Sequence, residues 1–175
     1  MARDHARIYV SIWSDPSWQT LTSVQQLVYL SLISSPDLSY CGVLPYIPAR
    51  YVDLSADMTE RKFAQAVQGL ADARYVVIDP RTAELLVRSY VRHDGLLKQP
   101  NVTKALVRAM SKVHSPALLD VLHGELARLL SEQPRAKGWP GFRDLDPEGF
   151  ARLSERASRK GSPKGSGRGS ANPEA

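Results

Sequence analysis

One cysteine, four histidines and no long apolar run mark what this chain of 175 residues does without. A lone Cys41 leaves neither an internal disulfide nor a multi-cysteine zinc site open to it. No stretch reaches the roughly 18 apolar residues that a bilayer-spanning helix needs. The opening MARDHARIYV carries basic residues but no apolar core, so it is not expected to act as a secretory signal. Without export signal or staple, a reducing cytoplasm is the expected compartment. Signatures of catalysis are equally thin. The segment 165–170, GSGRGS, is glycine-rich but has no lysine and no strand-to-helix setting, so it is no P-loop. Nothing resembles a nucleophile elbow, and no carboxylate pair is placed for acid–base work. The sequence therefore reads as non-enzymatic and cofactor-free.

A hydrophobic share of 43% suits a chain that buries a core, with one domain plus extensions at this length. The net charge of +5 is modest. Its distribution matters more than its size. Lys and Arg concentrate over residues 88–112 and again after residue 156. Such clustering is the usual footprint of a phosphate-backbone binder.

The central stretch is residues 47–91, and within it a helix over 59–73, TERKFAQAVQGLADA. Phe63, Ala66, Val67, Leu70 and Ala73 recur at the helical period, and Thr59 is placed to cap the first turn. Arg61, Gln65 and Gln68 fall on the opposite side. Guanidinium and amide groups of that kind pair in two-pronged fashion with guanine and adenine edges in a major groove. The plainer reading is a solvated helix face, and the neighbouring elements decide between the two.

Residues 7–13, RIYVSIW, alternate like a short strand. Thr22-Ser23-Val24-Gln25 fits a capping box and opens a helix to about Ser34, apolar nearly all round and so expected at the centre. Residues 41–44 read as an isolated strand, and Pro48 starts a second helix ending near Ala56. Two β-rich runs, 75–79 and 84–91, flank a turn at Pro80-Arg81-Thr82 and read as a hairpin. Residues 88–100 are expected as loop. Asn101 is then expected to cap a helix with Val102, Ala105, Leu106, Ala109, Met110 and Val113 on one face. Lys104, Arg108 and Lys112 form a cationic ridge beside it. Like charges four apart cost an isolated helix about 0.2–0.5 kcal/mol per pair, a cost that an anionic partner would reverse. Ser115-Pro116 starts another helix to about Leu130. Residues 133–146 are expected as loop with a packing clip at 139–142, and a short helix follows to about Ala157. The basic tail beyond it lacks apolar anchors and is expected to be disordered.

The order helix, strand, helix, turn, helix, hairpin is that of a winged helix-turn-helix. The expected fold is therefore mainly α with a small β component: a winged domain over 1–92, a basic helical extension over 93–131, a loop and short helix over 132–157, and a disordered basic tail over 158–175. In such folds the third helix enters the major groove and the hairpin reaches backbone or minor groove. Arg61, Gln65 and Gln68 are then the base-reading candidates. Lys62, Arg81, Arg92, Lys98, Lys104, Arg108 and Lys112 are the backbone candidates. Winged helices also serve as protein-docking modules, the alternative reading. His93-Asp94 is similar to the metal-binding dipeptide of HD phosphohydrolases, but His5, His114 and His123 show no ligand spacing, so no metal is expected.

Taken together, RIYVSIW, SYCGVLPYIPARYVDLSADMT and VRSYVRHDGLLKQPNV resemble a family of small helix-turn-helix proteins of actinobacteria and their bacteriophages. The architecture is also similar to the N-terminal winged-helix domain of DnaD-like phage replisome organisers. The likeness covers roughly residues 3–130, with HDG..KQPN (93–101) its most distinctive part. It implies double-stranded DNA binding inside a bacterial host cell, in phage or prophage replication or in gene control, with replication or transcription proteins as further partners. No primosome-type C-terminal domain is expected, which leaves room for a regulator or an accessory factor. A homodimer is expected too, since one recognition helix covers few base pairs.

Overall fold

The computed structural model describes residues 5–93 and 95–161; of the basic tail, residues 162–175 lie outside it. The described chain is mainly helical, with a small three-stranded antiparallel sheet. Its buried residues, from Trp18 to Leu153, form one hydrophobic cluster.

The first departure comes at once. Residues 7–13 form no strand, and Val10–Ser14 is a 3-10 helix. Alternation needs a partner strand to become a ladder, and among the described residues none pairs with this segment; Val10 and Trp13 stay exposed. One turn, α1 (Pro16–Gln19), follows, capped by Asp15, and buries Trp18. α2 (Ser23–Ser34) starts with the expected capping box. Thr22 Oγ1 accepts from the Gln25 amide at 3.2 Å, while Gln25 Oε1 accepts from the Thr22 amide at 2.8 Å. Val28, Tyr29 and Leu32 face inward, but Val24 and Leu27 are each 37% exposed, so the helix is not enclosed on every side.

β1 (Val43–Pro45) precedes a 3-10 helix, Pro48–Leu54. The proline start is as expected. The α-helical form is not: the 3-10 geometry persists over seven residues, longer than the roughly three or four in which it is usually found. Tyr51 of this turn stacks on Phe63, with ring centroids 4.3 Å apart and planes 9° apart. Phe63 belongs to α3 (Glu60–Asp72), which Thr59 caps through its hydroxyl. Phe63, Ala66, Val67 and Leu70 form its buried face, as the period predicts, whereas Ala73, expected on the same stripe, is the exposed C-cap beyond the last turn.

α3 touches α2 closely at one point. A Cβ on Gly69 would fall 2.0 Å from the side-chain Nε2 of Gln25, so a larger residue fits there only if that side chain moves from the position in which it closes the capping box. The helix ends in a Schellman motif: the Tyr75 amide donates to Leu70 O at 2.8 Å and the Arg74 amide to Ala71 O at 2.9 Å. Arg74 occupies the left-handed position of that motif, with φ 64°.

β2 (Val76–Asp79) and β3 (Glu84–Val87) make the expected hairpin, with Asp79 opposite Glu84. β1 pairs on the far side of β3, giving the order β1-β3-β2. Proline is tolerated on such an edge strand, as Pro45 is here. Leu85, Leu86 and Val87 of the central strand are all buried.

Residues 88–100 are not the loop their polar composition suggests. They hold α4 (Tyr90–His93) and a 3-10 helix, Leu96–Lys98, with Leu96 and Leu97 buried. α5 (Pro100–Met110) starts one residue before Asn101, with Gln99 as the cap and Pro100 at its first position, where the missing amide is no loss. α6 (Pro116–Glu132) is capped by Ser115, as expected. Between residues 133 and 146 the chain forms α7 (Trp139–Leu145) instead of loop. α8 (Pro147–Gly161) continues past Ala157, so Ser158 and the three residues after it are helical. Trp139, Phe142 and Phe150 meet with centroids 6.1–6.3 Å apart, and this aromatic contact turns the packing clip at 139–142 into a folded corner.

Candidate nucleic-acid interface

The polar face of α3 is solvent-exposed at Arg61, Lys62, Gln65 and Gln68. The four do not stand alike. Lys62 Nζ reaches Asp57 at 2.8 Å, and Gln68 Nε2 reaches Asp72 at 3.0 Å, so both are pre-positioned by an acidic neighbour. The Lys62 contact also holds the Asp57 carboxyl below its ordinary value. Arg61 and Gln65 make no side-chain contact of this kind among the described residues. The helix thus offers one guanidinium and one amide without a prior partner, flanked by two that are steadied.

A groove of about 360 Å³ runs from α3 to the hairpin, lined by Gln68 and Ala71 on one wall and by Val76–Ile78 and Pro80 on the other, with Tyr46 at its end. Arg81 is exposed in the turn beside Pro80, its amide bonded to Asp79 Oδ1 at 2.9 Å. The base of that turn is not free. Ser115 Oγ donates to Asp79 Oδ2 at 2.5 Å, and Glu84 accepts from the amides of Ser115 at 2.8 Å and His114 at 3.1 Å. The hydroxyl of Ser115 holds Asp79 below the usual carboxylate range. Burial raises Glu84, but the two amides and neighbouring side chains outweigh it and leave Glu84 lowered as well. A carboxylate at the start of α6 also meets the positive end of the helix dipole.

The cationic ridge divides. Lys104, half-buried, and Arg108, exposed, lie on α5, which packs mainly on α7 and the 3-10 helix over 96–98. Lys112 lies beyond the end of α5 at Met110, in the connection leading to Ser115. Two residues, Val113 and His114, separate it from Ser115 of the clamp on the hairpin, a chain reach of about 11 Å at most. The hairpin turn with Arg81 and the connection with Lys112 are therefore neighbours. Lys98 is exposed at the end of its 3-10 helix.

Arg92 stands apart. Its Nη2 is 2.9 Å from Glu132, and its Nε is 3.6 Å from Glu125. Glu125, buried on α6, also receives Arg88 at 2.6 Å and Arg128 at 3.4 Å. The fold turns both Arg88 and Arg92 onto α6, 37 and 40 residues away, which no local pattern announces. Arg92 is thus matched within the fold and is a poor candidate for a backbone phosphate.

The His93 side chain and all of Asp94 lie outside the described residues. Among the described residues, no three His, Cys, Asp or Glu side chains come together as a metal-ligand group, and no helix is long and apolar enough to cross a membrane. Comparison with protein-family models, with curated proteins and with solved structures finds no match for this chain.

Proposed function

We propose that the chain is a winged helix-turn-helix protein that binds double-stranded DNA without catalysing a reaction, α3 entering the major groove. The element order supports this reading. α2, β1, the 3-10 helix Pro48–Leu54, α3 and the β2–β3 hairpin follow one another, and β1 pairs with the last strand. The observation that carries it is the common groove of Gln68 and Pro80. It joins the polar face of α3 to the hairpin turn bearing Arg81, so one surface offers base-reading groups and a cation for the backbone.

In this reading Arg61 and Gln65 read base edges, Gln68 stands at the edge of the groove, and Lys62 and Arg81 meet phosphates. Lys112 extends the backbone contacts beside the wing, and Lys98, Lys104 and Arg108 supply longer-range attraction. The role belongs to replication initiation or transcriptional control, as a monomer or as a homodimer on paired half-sites.

Titration with random duplex DNA at several salt concentrations tests the proposal. Binding should weaken by about 0.9 log unit per log unit of salt for each phosphate contacted. A curve flat in ionic strength, or no binding at low salt, would leave the protein-docking alternative in its place. Selection of bound fragments from the native genome then separates replication origins from promoters.

A further inference from the structure

We propose a second ligand site, separate from the α3 face: an arginine-rich cleft that binds a phosphate-bearing small molecule with a flat ring, by class a nucleoside phosphate. The cleft encloses about 530 Å³ between the 3-10 helix Val10–Ser14, the end of α3 and the Arg88–Glu125 cluster. That volume falls within the range of small-molecule sites. None of Arg61, Gln65, Gln68 or Arg81 lines it.

Charge is the first observation. Arg7, Arg74, Arg88, Arg92 and Arg128 line the cleft against two carboxylates. Both carboxylates are already engaged. Asp15 caps α1, taking the Ser17 amide at 2.8 Å and the Ser17 hydroxyl at 2.6 Å, and Glu125 is shared among three guanidinium groups. Arg7 and Arg74 form no ion pair among the described residues.

Unmet donors are the second. The Nε of Arg88 is buried without a hydrogen-bond acceptor, and the Nε of Arg92, also buried, faces Glu125 Oε2 at 3.6 Å, just beyond hydrogen-bond reach. Orphaned donors in a low-dielectric setting are costly, and a multi-oxygen anion is the chemistry that satisfies several guanidinium groups at once.

Backbone geometry is the third. Arg74 stands at the left-handed position of the Schellman motif, where glycine is favoured and a side chain is strained. The residue there is an arginine that lines the cleft. Tyr29 and Tyr75 provide aromatic wall, their hydroxyls held by Ser89 at 2.8 Å and Ser17 at 2.9 Å. A lone phosphate would leave most of this space empty, whereas a ring beside the phosphate fills it.

Calorimetric titration with adenosine 5′-monophosphate and with inorganic phosphate tests the assignment. Saturable binding is expected for both, tighter for the nucleotide. Arg74→Gly should weaken it about tenfold or more while melting at or above the parent temperature, because strain is relieved as the guanidinium is lost. Arg88→Lys keeps the charge, removes the Nε donor and should also weaken binding. Arg61→Ala should leave it unchanged. Equal affinity for the two probes would overturn the ring-bearing ligand. Absence of saturable binding, or binding indifferent to Arg74→Gly, would overturn the site. Neither result bears on duplex binding by α3, which the Arg61 variant reports.

Discussion

The amide of Ser115 donates to Glu84 at 2.8 Å although 31 positions separate them in the chain. With the Ser115 hydroxyl on Asp79, this single residue caps α6 and ties it to both strands of the hairpin. Ser115→Ala removes the cap acceptor and the hydroxyl donor together. A loss of about 1–2 kcal/mol is expected by chemical denaturation.

Acid should remove the Asp79 part of that contribution and leave the cap. Asp79 and Glu84 both lie below their ordinary values of 3.8 and 4.5 in the fold. Groups lowered in this sense stabilise above those values and lose their effect as pH falls through the folded ones. The gap in melting temperature between parent and Ser115→Ala should therefore be full at neutral pH and shrink below about pH 3.8, where Asp79, the carboxylate that the hydroxyl meets, takes up its proton; Glu84 bonds backbone amides that alanine keeps. A gap constant down to strong acid would contradict the clamp.

His123 works in the opposite chemical sense but in the same direction of pH. Burial first, and then Arg152 and Arg156, hold its imidazole below the ordinary 6.5. A histidine so lowered binds its proton more readily in the unfolded chain, so stability falls as pH drops below about 6.5. The fall should be smaller in His123→Gln, measured by melting temperature from pH 7.5 down to pH 5.

Glu125 is the hinge of the arginine cluster. Its removal leaves Arg88 without its carboxylate, Arg92 with Glu132 alone and the more exposed Arg128 unpaired, and Glu125→Ala is expected to cost about 3–5 kcal/mol. Arg128 is 44% exposed, and Arg128→Ala should cost under about 1 kcal/mol. Denaturant midpoints of the two variants check the contrast.

For duplex DNA, the two sets of side chains should separate. Arg61→Ala or Gln65→Ala should cost about 1–3 kcal/mol on a preferred site and flatten discrimination between sites. Lys112→Ala or Arg81→Ala should weaken all sequences alike and reduce the salt slope by about 1. Matching profiles on preferred and scrambled DNA for Arg61→Ala and Lys112→Ala would refute the division.

Capping residues made much of the fold legible. Thr22, Thr59 and Ser115 each start the helix their neighbours suggest, because a cap is a bond between residues two or three apart. The exposed side of α3 was legible for the same reason, since one period fixes both faces. What escaped depends on distant partners. Ile8 and Val10 alternate as a strand would, yet among the described residues no strand pairs with them, and Trp139 and Phe142 sit in a segment whose glycines and prolines suggest loop until their rings meet Phe150. The pairing of Arg88 with Glu125 and the placing of Arg74 on a cleft are likewise long-range facts.

The contact between Gly69 and Gln25 makes two positions on different helices answer to one another. Alanine inside a helix ordinarily adds about 1 kcal/mol over glycine, but at residue 69 the added methyl would meet the Gln25 side-chain Nε2, which must move and so disturb the capping box of the other helix. Evolutionary drift at either place is thereby coupled. Chains descended from the same ancestor should keep glycine at 69 wherever glutamine stands at 25, and exchange the two together when they change.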